Sequence, residues 1–279
     1  MGRYVNVFAK SLRDQRWQIG GFGLALLSMA AMIVLLWPTY RNTVANIQLP
    51  EAVQALLGSD LSYATAAGFV SAEFFSWIPI LLIVYAVIQG TGAIAGEESS
   101  GTIDLLMAQP LARSAMVFQK CAAVLAGSVL IVSLGYLGFA LTIPFVTIEI
   151  SIGDAALASA NMLPITILYF AFALWLGAVA PNRAYASGGA IALGTAGYFA
   201  NTIAAGVHAL SWLRYASPFY YYGAGLPLVK GIDWPHVSIL LGVAALFVAL
   251  TVWSFQRRDI TIGGASNVGF RALMRRAVG

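Results

Sequence analysis

The side chains of this 279-residue chain that could do covalent chemistry are few, and their spacing limits what they can do. Cys121 is the one cysteine, so no internal disulfide can form, and no Cys/His cluster has metal-ligand spacing. His208 and His236 are the two histidines. Neither has an evident serine partner, and the G-x-S-x-G turn is absent, so a hydrolase is a poor reading. A G-x-x-x-x-G-K-[ST] loop is also missing, because the nearest string, 225–230, lacks the second glycine. The chain therefore has no P-loop with which to bind ATP, no catalytic residues and no cofactor of its own.

Charged and apolar residues gather with useful spacing in one stretch, 96–120, reading GEESSGTIDLLMAQPLARSAMVFQK. Glu97 and Glu98 lead it, and Ser99, Ser100 and Thr102 are N-cap types. Ile103, Leu106 and Met107 form one apolar face of a short helix that Gln109-Pro110 closes. Ser114 can cap a second helix that runs on through Lys120. Apolar anchors with charge at their rim are docking chemistry, where the anchors supply affinity and the charges supply orientation. The same pattern also suits an ordinary connector.

The elements that hold this stretch follow from composition. Hydrophobic residues make up 60% of the chain and charged residues 9%, against roughly a quarter charged in globular proteins. Mean hydropathy is +0.82. Such a chain cannot cover itself with polar groups, so lipid must be its solvent. This excludes a cytosolic enzyme, a secreted disulfide scaffold and a disordered tail, and no cleavable signal peptide is evident. A bilayer core of roughly 30 Å takes about 20 apolar residues in a helix. Runs between ionisable residues predict an all-α, polytopic membrane protein with six spans, over 17–40, 74–96, 115–148, 155–182, 184–207 and 234–256.

Charge asymmetry orients these spans. With the N-terminus inside, Arg3, Lys10, Arg13, Arg16, Arg113, Lys120, Arg183, Arg257, Arg258, Arg271, Arg275 and Arg276 are cytoplasmic, and only Arg41, Arg214 and Lys230 are outside. Both termini are expected in the cytoplasm, and the net charge of +4 reflects this bias rather than nucleic-acid binding. Residues 1–16 place Tyr4, Phe8 and Leu12 on one side of a basic amphipathic helix on the inner leaflet. Residues 48–58 read as an outer-surface helix, and the tail 257–279 as a second interfacial basic helix. The segment 208–233 holds the uncharged run 215–229, whose 15 residues are too few and too broken by proline and glycine to span. It is expected to dip into the outer leaflet as a re-entrant hairpin, with Trp212, Tyr215, Pro218, Phe219, Tyr220 and Tyr221 as substrate-gate residues or an aromatic interfacial belt.

Within the spans the polar signals are mild. Gly92 and Gly96 form G-x-x-x-G, and Ala186, Ala190 and Gly194 recur every four residues. Both patterns favour close helix packing, within the chain or between two protomers. Asn161 and Asn201 are amides that need partners, as packing glue or as cavity-lining residues. The charge-free runs behind these spans, 17–40, 74–96, 121–148, 155–182, 184–213 and 234–256, carry no Asp, Glu, Lys or Arg, which disfavours the alternative of a secondary transporter driven by an ion gradient.

The motif Gly96-Glu97-Glu98-x-x-Gly101-Thr102, then Leu105-Leu106, Pro110-Leu111-x-Arg113 and Lys120, resembles type 2 ABC exporter permeases. The stretches KSLRDQRW, LPEAVQALLG, AEFFSWIP and FQRRDI are similar to the polyketide-antibiotic, tetronasin-type exporters among them. The resemblance implies a permease subunit for an apolar or amphipathic small molecule (antibiotic, drug or lipid). It implies a second permease subunit, identical or homologous, and two copies of an ATP-binding subunit that bring ATP and Mg. It makes 1–16 an elbow helix and 97–114 a coupling segment, with Glu97, Glu98, Gly101, Thr102, Ile103, Leu105, Leu106, Met107, Pro110 and Arg113 as the ATPase-coupling residues. The location it implies is the inner (plasma) membrane.

Overall fold

Helix ends in this chain are set by caps and prolines. The computed structural model describes residues 7–44, 65–97, 113–224 and 226–257, and among them there is no strand. The segments 48–58, 98–112 and 258–279 lie outside the described residues. Helix α1 (Val7–Asp14) meets α2 (Arg16–Val44) at Gln15, across which the hydrogen bonds continue from Gln15 N to Ser11 O and from Ile19 N to Gln15 O. Helix α3 covers Ala66–Gly96, and Thr65 opens it by accepting from Gly68 N at 3.1 Å. The charge-free run begins only at 74 because Glu73 interrupts it. The helix absorbs Glu73, half-buried, in a π-bulge at Ser71–Phe75, and a second bulge at Gly92–Gly96 widens its other end.

Helix α4 (Arg113–Thr142) gives way to a 3-10 turn at Ile143–Phe145, where Pro144 cannot donate, so it ends short of 148. Helix α5 (Ile152–Val179) starts before 155 because Ser151 caps it and Asp154, in its first turn, suits the positive end of the helix dipole. It breaks once, at Asn161, three residues before Pro164. Asn182 caps α6 (Arg183–Gly206) by accepting from Tyr185 N. A 3-10 segment (His208–Ala216) and two short helices, α7 (Pro218–Tyr222) and α8 (Pro227–Lys230), lead to α9 (Trp234–Arg257).

Among the described residues, five helical stretches are long and apolar enough to cross a membrane: Arg16–Thr43, Ala66–Gly96, Ser114–Phe145, Ile152–Val179 and Trp234–Arg257. Helix α6 has 24 residues, as many as α9, but glycine, tyrosine and asparagine leave it outside that set. The most buried of the five, α3 and α5, form the centre, and α2 and α9 bury the smallest share of their residues. Helix α2 lies along α4, α5 lies between α3 and α9, and α6 packs against α5 and α3.

Glycine permits the closest of these approaches. A Cβ at Gly138 of α4 would collide with the Leu27 carbonyl oxygen of α2 and stand 2.9 Å from Ala30 Cβ. One at Gly90 of α3 would meet both Ala173 Cβ and Phe170 O of α5 at 2.7 Å. The stripe Ala186, Ala190 and Gly194 is buried within the chain, with Gly194 against Tyr169 and Ile83. Gly92 and Gly96 face the Arg183 side chain instead of another helix backbone. Phe74, Phe75 and Phe139 form a stacked and edge-on cluster in the core.

Candidate functional site

Polar side chains from four helices converge at one end of the bundle, where α2, α4 and α6 begin and α3 ends. Lys120 sits two turns into α4, with 5% of its surface exposed. An ammonium this buried must be paired, because desolvation otherwise costs several kcal/mol. Its Nζ lies 2.6 Å from Glu97 Oε1 at the end of α3, and it donates to Ala93 O, also at 2.6 Å. The second π-bulge ends beside this pair, at Gly96.

The neighbouring contacts join the other elements. The Tyr85 hydroxyl donates to Gln15 Oε1 at 2.6 Å, fully inside the bundle, and Gln89 Nε2 donates to Gln18 Oε1. Arg183 reaches over Gly92 and Gly96 and donates to Ile88 O at 3.4 Å. The Phe8 amide donates to Gln119 Oε1, which fastens α1 across the start of α4. Between these groups lies a cavity of about 190 Å³, lined by Gln15, Gln18, Gln89, Glu97, Lys120 and Arg183 among others.

This cluster closes the base of 98–112, since Glu97 stands immediately before that segment and Lys120 seven residues beyond Arg113. Of the coupling residues, Glu97 and the Arg113 backbone are described; Glu98, Gly101, Thr102, Ile103, Leu105, Leu106, Met107 and Pro110 lie outside the described residues. The roles of Gln15, Gln18, Tyr85, Gln89 and Arg183 escaped the sequence reading. The one local signal was Tyr85/Gln89, a polar pair at i,i+4 on an otherwise apolar helix, and nothing local pairs it with Gln15 or Gln18.

The opposite end carries the aromatic segment. Ser217 donates to Gly197 O of α6 at 2.7 Å and caps α7 by accepting from Phe219 N. Asn161, at the break in α5, donates through Nδ2 to Tyr222 O at 2.7 Å, and the Tyr222 hydroxyl donates to Phe75 O at 3.0 Å. Burial raises the Tyr222 phenol above its ordinary value, so it remains a neutral donor. Gly223, at φ +56°, supplies the left-handed turn that ends α7. Phe219 is buried beside Tyr169 and Tyr198, and a Cβ at Gly197 would lie 3.4 Å from Pro218.

Arg214 stacks on Tyr215 and Tyr220, and its Nη2 donates to the Tyr215 hydroxyl. Tyr220 and Tyr221 flank His236, which lies 3.3 Å from Asp233. Trp212 is exposed. Asn161 is thus spent on the Tyr222 carbonyl, and Asn201 is half-exposed. Among the described residues, no group of His, Cys, Asp and Glu could hold a metal ion.

Among the described residues, a helical bundle with five lipid-compatible helices, its ion pair tucked at one end and its aromatic segment pinned at the other, defines a multi-pass membrane protein. The family model described as ABC-2 family transporter protein matches residues 5–260, and the chain belongs to that family. It is thus a membrane component of transport rather than a catalyst. No curated protein matches it.

Proposed function

We propose that this chain is the permease subunit of an ATP-driven exporter and that the segment after α3 is where a cytoplasmic ATPase docks. The observation that carries the reading is the Glu97–Lys120 ion pair, with Lys120 also on Ala93 O. It ties together the two helices between which 98–112 runs, so force applied to that segment would pass directly into α3 and α4. In this reading α6, about 36 Å long at 1.5 Å per residue, is the sixth crossing. Helix α1 is the elbow helix, and 208–233 is the outer re-entrant hairpin. Its contacts to α3, α5 and α6 support this, because a non-helical dip needs its backbone polar groups covered.

The cargo in this proposal is an apolar or amphipathic small molecule of the polyketide-antibiotic, drug or lipid kind, moved outward across the plasma membrane. A second permease subunit and two ATPase copies complete the machine. The described Asp, Glu, Lys and Arg side chains within the long helices all lie within about two turns of helix ends, Glu73 and Lys120 being the deepest. That leaves mid-membrane without fixed charge, which suits an apolar solute better than an ion gradient as coupling partner. In liposomes the lone chain should neither hydrolyse ATP nor take up solute on a proton or sodium gradient. Vanadate-sensitive hydrolysis should appear when the cognate ATPase is added. Robust gradient-driven uptake by the lone chain would replace this reading with a secondary transporter.

A further inference from the structure

A groove of about 580 Å³ runs along the face where α9 meets α4 and α5, and its lining residues make none of the polar contacts described above. That volume falls within the ~300–1,000 Å³ of small-molecule sites. Its walls are Phe118 of α4, Ile167 of α5, and Ala245, Ala249, Trp253 and Gln256 of α9. The alanines make the floor shallow, and Phe118 and Trp253 stand up at its sides, 58% and 54% exposed.

Two features give the groove a direction. It follows α9 from Leu241 to Gln256, about 22 Å of helix, enough to cover one leaflet of a hydrocarbon core roughly 30 Å thick. It then ends at the one cation on α9. The Arg257 guanidinium lies 4.4 Å above the Trp253 ring, and among the described residues no carboxylate pairs with it. Stacking on Trp253 holds the charge at the mouth of the groove, and Gln256 beside it adds a hydrogen-bonding amide.

We propose that this groove binds an anionic phospholipid from the leaflet at the Arg257 end of α9. One acyl chain lies on Ala245 and Ala249 between Phe118 and Trp253, and the phosphate is held by Arg257 and Gln256. Charge complementarity selects the occupant: a polar, cationic mouth on an apolar groove fits a lipid with a negative head and one chain. The groove shares no lining residue with the cavity beside Glu97 and Lys120, so the proposal stands independently of the ATPase reading.

The test uses the full chain reconstituted in nanodiscs containing phosphatidylglycerol or phosphatidylcholine with brominated acyl chains. Trp253 reports occupancy as the quenching that disappears in Trp253→Phe. One interfacial cation favours an anionic lipid about fivefold. Half-quenching should therefore need about fivefold less phosphatidylglycerol than phosphatidylcholine, and Arg257→Gln should bring the two lipids level. Ala249→Phe should weaken quenching by both. Arg257 is exposed, so its variant keeps the test decisive even if the filled groove does not fold. Equal quenching by both lipids in the unaltered chain, or a preference that survives Arg257→Gln, would overturn the proposal. So would absence of Trp253 quenching by either lipid, which would mean that protein, such as a second copy, covers the groove.

Discussion

Lys120 and Glu97, on different helices and flanking a segment they do not belong to, share an ion pair of 2.6 Å with only 6% and 20% of their side chains exposed. Breaking such a pair by removing one partner costs about 3–5 kcal/mol when burial is complete. Glu97 keeps some solvent contact, so Lys120→Met should destabilise the folded chain by about 3 kcal/mol, at the low end of that range. Adding Glu97→Gln should recover part of the loss. A double-mutant cycle on reversible unfolding in bicelles measures this, and a coupling near zero would show that the pair is incidental.

Gly138 and Gly90 make a second prediction, about helix approach. Replacing Gly138 by alanine forces a methyl group into the Leu27 carbonyl, and Gly90→Ala forces one into α5. Overpacking of this kind costs about 1–3 kcal/mol. Gly242→Ala on α9 is the control, because a Cβ there meets nothing within 4 Å. Thermal unfolding should separate the first two from the third. Equal behaviour of all three would mean that α2–α4 and α3–α5 are not packed this closely.

The aromatic segment supplies a third. Asn161→Leu removes the donor to Tyr222 O, and Tyr222→Phe removes the donor to Phe75 O. Hydrogen bonds between membrane helices contribute about 0.6 kcal/mol on average. Amide exchange in 218–222 should thus speed up about threefold in either variant, with the helices α3 and α5 unaffected. The Tyr222 phenol is raised by burial, so its folded state holds the proton more tightly than its unfolded state. Stability from this group should be intact below about pH 10 and decline as pH rises further. Unchanged exchange would release the segment from its anchor.

What the sequence made legible was set by local pattern. Hydropathy alone gives the helices and the membrane as solvent, and the alanine–glycine stripe of α6 is visible at helical spacing. Helix ends were less legible where charge was the guide, because Glu73 and Asp154 are accommodated inside helices. The inner polar cluster was hidden for a different reason. Gln15 meets Tyr85 and Arg183 meets Ile88 across separations of 70 and 95 residues, and no local period encodes such pairings. Likewise Gly90 and Gly138 read as ordinary span glycines until the facing backbone is known.

Topology gives a fourth prediction. On the proposed six-span topology twelve of the fifteen cations would be cytoplasmic, so tags at Met1 and Gly279 should both be reachable only from that side. Cysteines introduced at Arg183, the start of α6, and at His208, just beyond its end, should label from opposite sides. Labelling of both from one side would reduce the crossings to five.

The most direct measurement concerns Leu106, in the segment whose base Lys120 and Glu97 close. If Ile103, Leu106 and Met107 fill an apolar notch on the ATPase, Leu106→Asp buries an unpaired charge there, costing several kcal/mol. The measurement is co-purification of the cognate ATPase with the variant, together with ATP-dependent transport in proteoliposomes. The expected result is normal membrane insertion with the ATPase lost, or with its hydrolysis uncoupled from transport. Full ATPase binding and full transport by Leu106→Asp would contradict the account, leaving 98–112 as a connector only.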